Sequence, residues 1–108
     1  MLNQAIIVGR LVDEPTIEKL SDSESKGYML LSVQRPFKNE NGEYESDFIP
    51  CMINGNMILN VADYCHKNDI LGVKGRILTE KVDDNQNYKV SIVAEKVTFL
   101  SSKKDEEE

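Results

Sequence analysis

Aromatic and basic residues alternate in one short segment of the chain. Arg35, Phe37 and Lys38 lie within four consecutive positions, and Phe48 follows further along. Proteins that bind single-stranded nucleic acid combine aromatic rings, on which bases stack, with cations that track the phosphates. These residue types therefore indicate a nucleic-acid-binding surface. Composition alone leaves a second interpretation open for each ring, with Phe48 in the core and Phe37 packed within a hairpin.

The residues that could support catalysis or bind a metal do not form a recognisable constellation. His66 is the only histidine, and a Ser or Cys nucleophile needs a positioned base. The acidic pairs Asp13-Glu14 and Asp83-Asp84 fall in predicted turns, where acidic residues are common. The glycines never form a phosphate-binding loop, and the two cysteines lack the spacing of metal sites. We therefore predict no catalytic residues, no metal and no cofactor, with His66 exposed at a helix end.

Length, composition and charge restrict the class of protein. A chain of 108 residues predicts one domain, and its apolar runs are far shorter than a membrane span. The start of the chain has no secretory pattern, so we expect a cytoplasmic protein without a membrane partner. Residues 1–102 carry 11 basic and 15 acidic side chains. An acidic body disfavours nucleic-acid binding in general, so the local placement of the cations must decide.

The elements that position these residues follow from the hydrophobic periodicity. Apolar residues alternate with period two, which indicates strands, over residues 3–12, 28–34, 44–53, 70–78 and 88–100. After Gly55 the spacing of Ile58, Val61, Ala62 and Cys65 predicts one face of a helix. The predicted class is all-β with one helix, which lies between the third and fourth strands. This order is typical of a five-stranded OB-fold barrel, a fold that commonly binds oligonucleotides or oligosaccharides.

Alternation along the predicted strands assigns side chains to faces. On the third strand, Ile49, Cys51 and Ile53 suit the barrel interior, which leaves Phe48 and Met52 on the opposite face. On the fourth strand, Leu71, Val73 and Ile77 are predicted to share one face, with Lys74 and Arg76 on the other.

Several segments, in order along the chain, resemble the bacterial single-stranded DNA-binding protein family. They are MLNQAIIVGRL (residues 1–11, followed by Asp13 and Pro15), VQRPFKN (33–39), DFI (47–49), NVADYC (60–65) and GVKGR (72–76). The resemblance implies an OB-fold and homo-oligomeric assembly, as a tetramer or a dimer. It also implies binding of single-stranded DNA with little sequence preference, in DNA replication, recombination or repair, together with proteins of those processes. Such a protein is expected in the cytoplasm, associated with the nucleoid.

The resemblance carries specific roles to specific positions. Phe37 and Phe48 match base-stacking positions, and the basic residues expected to contact DNA are Arg10, Arg35, Lys38, Arg76 and Lys81. Asn54 and Val82 stand where the family usually has aromatic residues, and Glu80 replaces a common arginine. Because base stacking contributes roughly 1 to 3 kcal/mol per base, we expect weaker binding than in typical relatives.

Two further expectations concern the end of the chain and the competing function. We predict an OB-fold domain over residues 1–102 and a short acidic disordered tail over 103–108, which lacks the apolar tip through which typical relatives recruit partners. The missing rings and the acidic body favour an alternative function. In it, the protein is an OB-fold interaction subunit similar to primosomal paralogues, with weak or lost DNA binding. An OB-fold enzyme is a third hypothesis that the residues do not support.

Overall fold

The computed structural model describes residues 1–101, so the predicted acidic tail lies outside the described residues. It contains six strands and one helix: β1 (Ala5–Leu11), β2 (Thr16–Lys19), β3 (Ser25–Lys38), β4 (Tyr44–Asn54), α1 (Asn56–Tyr64), β5 (Ile70–Lys81) and β6 (Tyr88–Ser101). The predicted all-β class with one helix is confirmed. The described helix is too short to cross a membrane.

The strands close into a barrel. The order in the sheet is β1-β5-β6-β4-β3, and β1 also pairs with β3, which joins the two ends of the row. All of these pairings are antiparallel except the short parallel contact between β4 and β6. The predicted five-stranded barrel is therefore confirmed, with β2 added alongside β3.

The extra strand β2 changes the numbering of the elements but not their arrangement. We predict a helix between the third and fourth strands, whereas α1 lies between β4 and β5 because Thr16–Lys19 counts as a strand. This strand pairs with the beginning of β3, with Thr16 opposite Tyr28. For that reason β3 begins at Ser25, three residues before the predicted start of the second strand at residue 28.

The interior of the barrel holds the side chains that the alternation assigned to it. Cys51 and Ile53 of β4 are buried, as are Leu71 and Val73 of β5. The largest fully buried side chains are Leu11, Leu31, Ile53, Ile58, Leu71, Val73 and Cys51. Burial of this apolar surface is the main favourable contribution to folding.

Helix α1 packs on the core of the barrel and lies directly against β3. Ile58 and Val61 are buried and belong to the same core cluster as Ile53. A Cβ atom placed on Gly27 would lie 2.1 Å from Cδ1 and 2.9 Å from Cβ of Ile58. Only glycine at this position lets the helix approach β3 so closely.

Ile77 is not buried, unlike Leu71 and Val73, with which it was predicted to share one face of the strand. Its side chain is 45% exposed. The β5–β6 register shifts between Lys74 and Gly75, and beyond Gly75 both faces of β5 are largely open to solvent. The backbone of Ile77 exchanges two hydrogen bonds with the side chain of Asn3 instead. The hairpin of β5 and β6 thus extends past the core that the alternation assumed.

Candidate nucleic-acid interface

The outward side of the β3–β4 pair presents a row of exposed and half-buried residues. Phe48 lies opposite Ser32, and its side chain is 62% exposed. Paired residues of antiparallel strands point to the same side of a sheet, and Ser32 also pairs with Arg10 of β1. Arg10, Ser32 and Phe48 therefore form one row across three strands. We call the outward side of β3 and β4, with Arg10 at its edge, the β3–β4 face.

Pro50 fits within β4 without breaking the ladder. It lies opposite Leu30, whose carbonyl oxygen accepts a hydrogen bond from the amide of Val12, 2.9 Å away. Leu30 and Pro50 are consequently a non-hydrogen-bonded pair. At such a position the lack of an N–H group in proline removes no hydrogen bond to β3. A proline in a strand is expected at a sheet edge, at a bulge or at a position without ladder hydrogen bonds. Pro50 occupies a position of the third kind.

Phe37 lies near the end of β3, just before the hairpin turn to β4. Its ring is 66% exposed, so it is not packed within the hairpin. The turn is held by Oδ1 of Asn39, which accepts hydrogen bonds from the amides of Asn41 and Glu43, and by Gly42 at φ 79°. Beside it, the Lys38 ammonium lies 5.7 Å from the ring centroid of Tyr44. Aromatic and basic groups therefore alternate at this tip, as the sequence indicated.

Arg35 is held by two carboxylates. Its guanidinium donates to Asp47 at 2.8 Å and 3.2 Å and to Glu45 at 2.8 Å. The hydrogen bond from Arg35 lowers the pKa of Asp47, and the same contact raises the pKa of Arg35. A phosphate at this position would have to compete with both carboxylates.

The remaining predicted cations lie away from Phe48. Arg76 is exposed on β5 in register with Val93, which in turn pairs with Met52 of β4. Lys81 is exposed at the end of β5, opposite Tyr88. The structure thus places Arg10 and Phe48 in one row, with Lys38 opposite Tyr44 further along the same side of β4. Arg35 lies with Glu45 and Asp47, whose positions alternate with Phe48 along β4 and so face the other side of that strand. Arg76 and Lys81 lie on the β5–β6 hairpin.

The positions that lack aromatic rings are exposed. Asn54 ends β4 opposite Lys26, and Val82 follows β5 with its side chain 60% exposed. Both lie where a ring would be accessible to a ligand, and neither side chain offers a stacking surface.

Sequence reasoning missed Tyr28. This residue is half-buried on β3, opposite Met52, and its hydroxyl donates to Glu18 at 3.2 Å. Burial, followed by that hydrogen bond, raises its pKa. Alternation along β3 places Tyr28 on the same side as Ser32. This alternation is the sequence signal by which Tyr28 could have been assigned to the face that carries Phe48.

The acidic pairs and His66 have structural contacts. Glu14 accepts hydrogen bonds from the amide of Lys67, and its other oxygen lies 3.1 Å from Nδ1 of the exposed His66. Asp83 accepts hydrogen bonds from Asn85 and Asn87, and the Asn87 side chain lowers its pKa. These contacts tie a loop to the end of the helix and close a hairpin turn.

Within residues 1–101, no group of three His, Cys, Asp or Glu side chains is arranged so that it could hold a metal ion. Cys51 and Cys65 are buried and unpaired with each other. Burial raises the pKa of Cys51 to about 11, so this thiol stays protonated at neutral pH.

Fold and surface together define a class of protein: an OB-type barrel that presents exposed aromatic and basic side chains on one side. A family model described as "Single-strand binding protein family" matches residues 2–100. The chain belongs to the single-strand binding protein family. This membership agrees with a binding protein and not with an enzyme.

Relatives and solved structures resemble the chain over nearly its full length. It is 39% identical to the single-stranded DNA-binding protein of Halalkalibacterium halodurans over 93% of this chain and 61% of that protein. It is 34% identical to single-stranded DNA-binding protein B of Bacillus subtilis, over 95% of this chain and 94% of that protein. A structure of the Plasmodium falciparum SSB in complex with ssDNA superposes with a TM-score of 0.77 at 20% identity, covering 94% and 96% of the two chains.

Proposed function

We propose that this protein binds single-stranded DNA without marked sequence preference, in DNA replication, recombination or repair. The observation that carries the proposal is the β3–β4 face, where exposed Phe48 shares a row with Arg10 and exposed Phe37 lies beside Lys38. The rings stack bases, and the cations, with Arg35, Arg76 and Lys81 at the margins, neutralise phosphates. The relatives named as single-stranded DNA-binding proteins support this function.

The proposal covers residues 1–102 as the binding domain. We place the protein in the cytoplasm with the nucleoid, because that is where bacterial single strands arise. It acts as a homo-oligomer, a tetramer or a dimer, in which several faces contact one strand and gain affinity through linkage. Exposed Ile6 and Val8 on β1 support association between copies, since apolar residues of this kind at the surface favour interfaces.

A second candidate function is favoured by the carboxylates around Arg35 and by the missing aromatic rings. Arg35 is occupied by Asp47 and Glu45, and Asn54 and Val82 offer no rings. A protein with this surface could use the same fold as an interaction subunit for replication or recombination proteins. The interaction subunit differs from the DNA-binding protein in that its affinity for single-stranded DNA is weak or lost.

Titration of a fluorescently labelled poly-dT of a few tens of nucleotides, with duplex DNA as competitor, tests the proposal. We expect preference for the single strand, and we expect Phe37→Leu and Phe48→Leu each to weaken binding by roughly 1 to 3 kcal/mol. Tyr64→Leu is the matched control, because this exposed ring lies on α1. Equal binding of duplex and single strand, or failure to bind at low salt, would contradict the proposal and favour the interaction subunit.

A further inference from the structure

A depression lies next to the β3–β4 face, between β3, β4 and the β5–β6 hairpin. Its cavity volume is about 150 Å³, and its walls include Lys26, Tyr28, Pro50, Met52, Glu80 and Lys89. An aromatic ring and two lysines in the same cavity are the residue types that a nucleobase and its flanking phosphates require. Neither Tyr28 nor these lysines were among the residues predicted to bind DNA.

The depression continues the path of the proposed DNA strand. Tyr28 lies opposite Met52, and Lys26 lies opposite Asn54, both on the side of the β3–β4 pair that carries Phe48. Met52 lies four positions after Phe48 along β4, which corresponds to about 13 Å in an extended strand. A single strand that contacts Phe48 can therefore reach Tyr28.

Two contacts hold the Tyr28 ring in place. Its hydroxyl donates to Glu18 on β2 at 3.2 Å, and the ammonium of Lys26 lies 5.9 Å from the ring centroid. This second distance is at the outer limit of a cation–π contact, so little energy holds the lysine there. A base can displace the ammonium from the ring, and the displaced cation then pairs with a phosphate.

The charges on the two sides of the ring differ. The cavity side carries Lys26 and Lys89, with Glu80 as the one carboxylate among its lining residues. A second depression that also borders Tyr28 is lined by Asp13 and Glu14. The cavity side therefore carries the lysines, and phosphates there would compete with Glu18, which lies opposite Lys26, and with Glu80, which lies opposite Lys89.

We propose that Tyr28, Lys26 and Lys89 form a nucleotide subsite in which a base stacks on Tyr28 and the lysines neutralise adjacent phosphates. The inference rests on the proposed function and names a residue that carries it. The subsite supplies an aromatic surface close to Asn54, where the family pattern would place a ring and this chain has none.

The test compares the wild-type protein with Tyr28→Leu, Tyr28→Phe and Tyr64→Leu in poly-dT titrations. Loss of one stacked base predicts about 5- to 150-fold weaker binding for Tyr28→Leu, and less than about twofold change for Tyr64→Leu. Tyr28→Phe keeps the ring and loses only the hydroxyl, so it retains affinity. Because the chain has no tryptophan, tyrosine emission can be followed with unlabelled poly-dT, and Tyr28→Phe reduces the quenching that DNA causes.

The lysines give an independent measurement. Lys26→Gln and Lys89→Gln each lower the slope of log affinity against log salt by about 0.7, the amount expected for one phosphate contact to a single strand. If the wild-type protein and Tyr28→Leu bind poly-dT equally well, the subsite is overturned and the proposed function stands. Wild-type protein that fails to bind poly-dT would overturn both.

Discussion

At single residues, carboxylates would compete with phosphates for the guanidinium of Arg35. Arg35 makes charged hydrogen bonds to Asp47 and Glu45, both on the neighbouring strand. These pairs are exposed, and exposed ion pairs contribute only about 0.2–1 kcal/mol. A phosphate can therefore replace a carboxylate on Arg35, but the negative charge left behind opposes the DNA.

Removing the charge of Glu45 is expected to strengthen DNA binding. Glu45→Gln should raise the affinity for poly-dT by about twofold to fivefold at low salt, an effect of the size of an exposed charge interaction. The matched control is Glu95→Gln, which makes the same charge change on β6, beside α1. Weaker binding by Glu45→Gln would show that Glu45 positions Arg35 instead of competing with DNA.

The ion pair of Asp47 predicts a pH dependence with a definite sign. Because the hydrogen bond from Arg35 lowers the pKa of Asp47 in the folded state, the pair contributes stability at neutral pH. That contribution is lost as the pH falls below about 4, the ordinary range of Asp, towards the lowered value. An NMR titration of the side-chain carboxyl should show a midpoint below the ordinary value of an aspartate, and Arg35→Gln should return it towards that value. The same midpoint in both proteins would contradict this explanation.

The residue types of the candidate site could be predicted from the sequence, but their pairing could not. The exposed position of Phe48 follows from alternation with buried Cys51 and Ile53, while its role in binding stays a prediction. The capture of Arg35 depends on the β3–β4 register, which shifts between Gln34 and Lys38. A local sequence pattern does not specify such a shift, so the partners of Arg35 were not foreseen.

At the element scale, the contact between α1 and β3 depends on the absence of a side chain at Gly27. Gly27→Ala should destabilise the protein by about 1–3 kcal/mol, the usual cost of overpacking a core, because the new methyl group overlaps Ile58. Denaturant unfolding of Gly27→Ala, Ile58→Val and the double variant would measure this coupling. The double variant should lose less than the sum of the two single variants. Strictly additive losses would mean that α1 is not held against β3 in this way.

The order of elements followed from periodicity because the barrel interior requires alternate apolar residues. Two details of the strands did not follow from periodicity, because contacts between distant segments decide them. Strand β3 begins early because β2 pairs with it, and Ile77 is exposed because the β5–β6 hairpin extends beyond the core. Both outcomes depend on pairing between distant segments, which alternation along one segment does not encode.

At the scale of the whole molecule, the proposed oligomer explains why β1 carries apolar side chains on its outer side. Ile6 and Val8 are exposed while Leu11 of the same strand is fully buried. Light scattering at micromolar concentration should report a dimer or a tetramer, and Ile6→Lys should shift the mass towards the monomer by placing a charge in the interface. Circular dichroism of the variant serves as the folding control. A wild-type monomer at this concentration would contradict the proposed assembly.

The proposed path of single-stranded DNA follows the outward side of β3 and β4. Photocrosslinking of a poly-dT strand that carries iododeoxyuridine, followed by mass spectrometry of the protein, tests it most directly because crosslinks form where a base contacts an aromatic ring. We expect crosslinks at Phe37, Phe48 and Tyr28, reduced by high salt. Crosslinks confined to Tyr64 of α1 or Phe99 of β6 would place the DNA on another surface and contradict the proposed path.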